Sequence, residues 1–234
     1  MKKLLLLPVL AMMMAFTGAD GTDLTGCEGY MLMQKGVTLV YSDYDGKEKL
    51  TGTQTNTVKE ITSEGGILKV TMHTISKDAK DKVLSEGDFS FTCENGVIKI
   101  DMKSMTGQGM YDSMEGMEIG IDQTDLVFPA TFKEGQTLED GQMTMTISSG
   151  GMQVMKMVTN ITDRNVEKFE NLTTPAGSFD CVKMNQVMST EMMGRTTKMK
   201  SIQWLSLNVG AVRTETYNED GTLQSVHLLT QIIK

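Results

Sequence analysis

The feature that most constrains this chain is a two-residue alternation of apolar and polar side chains, broken at intervals by turn dipeptides. Leu68, Val70 and Met72 alternate with Ile67, Lys69, Thr71 and His73, and Val37, Leu39 and Tyr41 with Thr38 and Val40, while Phe89 and Phe91 stand two apart. Successive side chains of a strand point to opposite faces, so this period predicts strands with one face buried. Asp45-Gly46, Gly65-Gly66, Asn95-Gly96, Gly150-Gly151 and Asp220-Gly221 stand between such runs, and these are hairpin-turn pairs. Beyond residue 19 only Ala79, Ala130, Ala176 and Ala211 remain, against 28 threonines, so helix formers are scarce and β-branched residues plentiful. The expectation is an all-β fold: one antiparallel curved sheet, half-barrel or sandwich-like.

The N-terminus reads as an export signal. Lys2 and Lys3 precede the apolar run Leu4–Phe16, and Thr17-Gly18-Ala19 supplies the small residues of a cleavage site. Thirteen apolar residues are too few for a comfortable membrane span. Residues 1–19 are therefore expected to be removed, leaving 20–234 as a single antiparallel β domain with no transmembrane segment. Leu24-Thr25-Gly26-Cys27 has the form of a lipobox, but Asp20 and Asp23 separate it from the apolar run. Lipid anchoring at Cys27 is the lesser expectation; export to the periplasm or cell surface is the main one.

Export places Cys27, Cys93 and Cys181 where thiols pair. Three cysteines allow one internal bridge, and Cys93–Cys181 is the expected pair because both lie in strand-like segments while Cys27 sits near a loose end. Residues 106–125 hold five acids, four glycines and no Lys or Arg. A mobile Met- and Gly-rich excursion followed by a strand is expected there.

Composition also removes functions. The net charge is −8, or −10 without the signal, so there is no basic patch for nucleic acid. His73 and His227 fall in alternating strand patterns, and no nucleophile elbow, phosphate loop or metalloprotease pair is present. No catalytic, cofactor-binding or metal residue is assigned, no cofactor is expected, and the chain reads as non-enzymatic. Asp43-Tyr44-Asp45-Gly46 starts like a calcium loop but lacks its distal acid, so a hairpin turn explains it. An ion pair between Arg164 and Glu170 is plausible from their spacing.

Methionine is the outlier, with 22 residues, 18 of them beyond the signal. Met143 and Met145, Met152, Met155 and Met157, and Met188, Met192 and Met193 form local groups. Strand-period spacing points to core packing; a flexible apolar ligand surface is the functional reading, and copper or silver binding by thioethers the alternative. The expected partner is an apolar small molecule or a cell-envelope protein.

Several stretches carry a family resemblance. They are Thr162-Asp-Arg-Asn-Val-Glu-Lys-Phe-Glu, Thr174-Pro-Ala-Gly-Ser-Phe-Asp-Cys-Val-Lys, Gln203-Trp-Leu and Gly210-Ala-Val-Arg-Thr-Glu-Thr-Tyr. With Lys35-Gly-Val-Thr-Leu-Val-Tyr and Phe91-Thr-Cys-Glu-Asn-Gly, the chain from Cys27 onward resembles the TapB-like exported bacterial β-proteins, a domain of unknown function. The resemblance implies an exported, half-barrel-like antiparallel domain and carries over no catalytic residue. One departure is Leu205 after Trp204, where an aromatic often follows.

Overall fold

The computed structural model describes residues 27–105 and 116–234; the export signal at 1–19 and the first part of the acidic excursion lie outside them. Thirteen strands form one antiparallel sheet. In chain order they are β1 (Thr38–Asp45), β2 (Leu50–Glu64), β3 (Ile67–Asp78), β4 (Val83–Glu94), β5 (Val97–Ile100), β6 (Glu118–Gln123) and β7 (Leu126–Phe128). There follow β8 (Gly141–Ser149), β9 (Met152–Thr174), β10 (Gly177–Met192), β11 (Arg195–Ser206), β12 (Gly210–Asn218) and β13 (Leu223–Ile233). A single 3-10 turn at Met102–Met105 is the only helical piece among the described residues.

All five turn dipeptides fall at hairpin connections. Gly65, Gly66, Gly150 and Gly151 have positive φ, which a Cβ would disfavour. The Asp43–Gly46 stretch is the β1–β2 turn: Asp45 accepts hydrogen bonds from the backbone N–H groups of Lys47 and Lys49, both at 2.9 Å. That contact holds the Asp45 carboxyl below its usual pKa.

The strand order is β6-β8-β9-β10-β11-β12-β13-β1-β2-β3-β4-β5-β7. Its two ends, β6 and β7, are consecutive in the chain and separated only by Thr124 and Asp125. The sheet must therefore curl until its ends lie side by side. It is one open sheet, so the sandwich alternative is not what the chain adopts. The seam falls between β7, which pairs only with β5, and β8, whose ladders run to β6 and β9.

Inside the curl sits one apolar cluster, including Leu39, Val58, Val70, Phe91, Ile98, Val166, Val182, Met184, Val212 and Leu229. Leu68, Val70 and Met72 are buried while Ile67 and Lys69 are exposed, as the alternation requires. Removing this apolar area from water at about 25 cal/mol per Å² is the main source of stability for such a sheet.

The N-terminal segment corrects the disulfide expectation. Cys27, Leu32, Met33 and Val37 are all buried in the cluster, and Cys27 bonds Cys93. Cys181 is a free, buried thiol, pushed up to about 11 by desolvation. The physical reason is topological. Cys93 on β4 and Cys181 on β10 are separated in the sheet by β11, β12, β13, β1, β2 and β3, whereas the segment after Cys27 folds inward as a plug. Gly29 shows how tight that plug is, since a Cβ there would lie 2.7 Å from Ile98 Cδ1. Gly210, with φ of +99°, lets β12 begin against the backbone of Met31.

The stretch 118–123 is a strand, as expected after the acidic excursion, and it pairs with β8 from Glu118↔Ser148 to Gln123↔Met143. Residues 106–115 of that excursion lie outside the described residues.

Candidate functional site

Partner residues of an antiparallel ladder share a face, so the strand register assigns side chains to the core-facing or the opposite side. One row runs Met184↔Gln203↔Thr214↔His227↔Asp43 across β10, β11, β12, β13 and β1. Met184 is a fully buried core residue, so this row faces inward. The next row, Gln186↔Ser201↔Thr216, is again polar. Gln54, Asn56, Thr74 and Ser76 on β2 and β3 carry the same surface further. Gln54 Nε2 donates to Asn56 Oδ1 at 3.0 Å, Thr74 Oγ1 donates to Asn56 Oδ1 at 3.0 Å and Ser76 Oγ donates to Gln54 Oε1 at 3.3 Å.

At the centre of this polar wall His227 Nδ1 lies 2.6 Å from Asp43 Oδ1. The imidazole stacks on the Tyr41 ring, with centroids 4.2 Å apart and planes inclined by 16°. Tyr41 Oη donates to Ala211 O at 3.0 Å, which fixes the ring beneath the histidine. Burial raises the Tyr41 pKa far above the ordinary phenol value. No motif marked the Asp43–His227 contact, because the residues are 184 apart in sequence. The alternation of β1 and β13 could have put both on the inner face, but the register between the strands is set by bulges.

Most of the remaining inward face is apolar, with Thr159 and Thr190 among its polar members. Met143, Met145 and Ile147 on β8 and Ile161 on β9 are buried, with Met157, Met188 and Ile121 packed against the cluster or partly covered. Most of the methionines singled out in sequence therefore share one wall. Met145 pairs with Met157, and Met157 with Met192. Met152 does not join them, standing 73% exposed at the β8–β9 hairpin with Met193 exposed on the neighbouring one. Met152, Met155 and Met157, with Met143 and Met145, thus span buried to exposed positions instead of meeting at one accessible point. Among the described residues no group of three His, Cys, Asp or Glu is placed to hold a metal.

The two walls meet near a bulge in β9. Asn185↔Asn165 and Val187↔Thr162 leave Asp163 and Arg164 opposite Gln186, and Asp163 takes φ of +53°. Arg164 is 0% exposed. Its Nη1 donates to Val127 O on β7 at 3.1 Å and to Glu139 O just before β8 at 2.5 Å, so it spans the seam. Its guanidinium lies 4.7 Å from the Phe128 ring centroid. Desolvation lowers its pKa to about 10, against the attraction of Asp140 and Glu139. Arg164 makes no ion pair with Glu170; the two are placed on different sides of the sheet by the register shifts of β9.

Glu170 belongs to the outward face. It accepts the Trp204 indole N–H at 2.8 Å and pairs with Lys168 at 2.8 Å, contacts that hold its pKa below the usual range. Lys183 and Arg213 stand over Trp204 from the two neighbouring strands, 5.3 and 5.8 Å from the ring. Beyond them a groove of about 620 Å³ is lined by Val187, Lys198, Lys200, Ile202 and Tyr217. His73 is also outward, between Asp88 at 2.8 Å and Glu86 at 3.1 Å.

With the architecture in place, comparison with known proteins decides the family. The sequence matches the DUF3108-like family over residues 34–229. The chain belongs to that family. Two crystal structures share the fold of this DUF3108-like chain. One is a protein from Bacteroides fragilis NCTC 9343, described as exported and of YmcC-like fold, at 23% identity and a TM-score of 0.69; the match covers 89% of this chain and 100% of that one. The other, from Parabacteroides distasonis ATCC 8503 and described as a lipoprotein, has 24% identity and a TM-score of 0.70, covering 88% and 99%. At these identities the likeness shows the fold alone. No curated protein matches the sequence. The TapB-like likeness stays a resemblance, and the DUF3108-like family is the assignment shown.

Proposed function

We propose that this DUF3108-like chain is an exported, non-enzymatic protein of the cell envelope that binds an amphipathic molecule on the inward face of its curled sheet. The observation that carries the reading is the division of that face. A Met- and Ile-rich wall on β6, β8, β9 and β10 adjoins a polar wall running from Gln186 through Gln203 and Thr214 to Asp43 and Gln54. Methionines repack around differing apolar shapes, while hydroxyl, amide and imidazole groups fix a polar portion.

Export is supported by the Lys2-Lys3 and Leu4–Phe16 signal pattern and by the descriptions of the two structural neighbours. The Cys27–Cys93 bond supports an oxidising compartment, and it leaves Cys27 no thiol for a lipid anchor. An exported protein of the periplasm or cell surface is the form these features favour.

Native mass spectrometry of the mature protein, purified from its own exported compartment without detergent, tests the reading. A reproducible lipid-like mass increment is expected. A bare mass, lower by two hydrogens for one disulfide, argues against a retained ligand, and a copper or silver increment would replace this reading with thioether metal binding.

A further inference from the structure

We propose that the β8–β9 and β10–β11 hairpin ends form a docking surface for a phospholipid bilayer with anionic headgroups. The contact is made by the outside of the protein and stands whether or not the curl holds a ligand.

Hairpin turns favour Gly, Asn, Asp and Ser, which suit both the backbone and water. The β1–β2, β3–β4 and β12–β13 turns lie at the same end of the sheet and are made chiefly of Asp, Asn, Glu, Lys and Gly. The two hairpins in question instead present methionine. Met193 is 79% exposed, Met152 73%, Val154 54% and Met192 42%. Single exposed apolar side chains are ordinary, but four on two neighbouring hairpins make a patch.

The overlap of the strands makes that patch project. Strand β9 begins at Met152, yet its pairing with β10 stops at Met157↔Met192. Residues 152–156 therefore overhang the β10–β11 turn, by about 16 Å at roughly 3.3 Å per residue. A notch of about 400 Å³ lies under the overhang, and Val154, Lys156 and Met193 all line it. The apolar side chains of the two hairpins thus share one surface, with a lysine at its edge.

Charge selects the occupant. Residues 149–156 and 191–198 hold Lys156, Arg195 and Lys198 against Glu191 alone, in a chain of net charge −8. Lys168, Lys183 and Arg213 each have a carboxylate partner, whereas these three cations have none among the described residues. On β6, Glu118 stands opposite Ser148, with β8 between it and the cations. Leu50, Val83 and Leu84 are also exposed at this end, but there Asp45, Glu48, Asp78 and Asp81 match Lys47, Lys49, Lys80 and Lys82 one for one. Along β9, Val154 follows Met152 by about 7 Å and Lys156 by about 13 Å. Burial to roughly 5–10 Å, the depth of interfacial anchoring, takes in the leading apolar residues and leaves the lysine among the headgroups. Each cation at that level is worth roughly a fivefold gain on an anionic surface.

The test is flotation of the mature, disulfide-intact protein with vesicles of phosphatidylglycerol and phosphatidylethanolamine in equal parts, against vesicles of phosphatidylcholine. Binding to the anionic vesicles is expected to be about 10- to 100-fold tighter and to weaken as salt is raised. Met152→Asp combined with Met193→Asp is expected to abolish binding without changing Tm, since both side chains are exposed. Lys156→Glu combined with Lys198→Glu is expected to lower it by at least about tenfold. The two double variants are independent, so misfolding of one leaves the other to decide. Equal binding to both vesicles, or binding to neither, overturns the proposal, and the hairpin methionines then belong to a protein contact. Undiminished binding by a folded double variant overturns it as well, because the membrane contact then lies elsewhere on the protein.

Discussion

Two arginines of this protein each sit against an aromatic ring, and their surroundings are opposite. Arg213 stands over Trp204 on the outward face, 30% exposed, and pairs with Glu215 through both Nε at 2.8 Å and Nη2 at 2.7 Å. Arg164 stands against Phe128 inside the seam, with backbone carbonyls in place of a carboxylate. The same fork is filled by the chain itself in one case and left without a partner in the other. Water screens the first and makes it worth little; its exclusion from the second raises what is lost by leaving the guanidinium edge without a partner.

The sharpest way to break this comparison is Arg164→Ala. Two carbonyls at the seam lose their donor and a large buried volume empties, so a loss of about 2–5 kcal/mol is expected. For a domain of this size that lowers Tm by roughly 10 °C or more in thermal denaturation followed by circular dichroism. Arg164→Met keeps the volume without the charge and is expected to lose less. If the alanine variant melts with the wild type, Arg164 is not the seam's fastening.

The second effect concerns the plug, whose fastening is covalent. The Cys27–Cys93 bond closes a loop with a sequence separation of 66. Cys27→Ser is expected to cost about 2–4 kcal/mol, chiefly by freeing the unfolded chain. Cys181→Ser, by contrast, keeps the bond and changes only a buried atom, so its effect is expected to be much smaller. Non-reducing peptide mapping decides the pairing: a Cys93–Cys181 peptide would restore the pairing that the strand pattern alone suggests.

How far the sequence reached can be judged at these same residues. The inward faces of β1 and β3 followed from alternation alone, and the hairpins from Asp-Gly, Asn-Gly and Gly-Gly pairs, because both signals are local. The choice of Cys181 over Cys27 failed because it ranked residues by strand character, whereas the pairing depends on which segments the curl brings together. Arg164 gave no sign of its role. The residues it bonds are 37 and 25 positions away, and its inward direction depends on a bulge at Asp163 that the sequence does not announce. Asp43 and His227 were hidden in the same way. Each sits in an ordinary strand pattern, and only closure of β1 against β13 joins them.

The smallest effects belong to the outward network, and they sharpen the comparison from its other side. Arg213→Ala removes a partly exposed pair and a ring contact, and a cost of about 1 kcal/mol or less is expected by urea unfolding. The pH dependence has a definite sign. Hydrogen bonding to Lys183 lowers the Glu167 pKa, Lys168 and then Trp204 lower that of Glu170, and Lys59 and His73 that of Asp88. A carboxyl whose pKa is depressed on folding contributes stability above its unfolded pKa and loses it as pH falls through the folded value. Stability is therefore expected to decline in small steps as pH drops below the ordinary carboxylate range. Glu167→Gln and Glu170→Gln should flatten that decline while leaving the neutral-pH seam intact. If instead the acid transition is abrupt and unchanged in these variants, the outward pairs do not govern it.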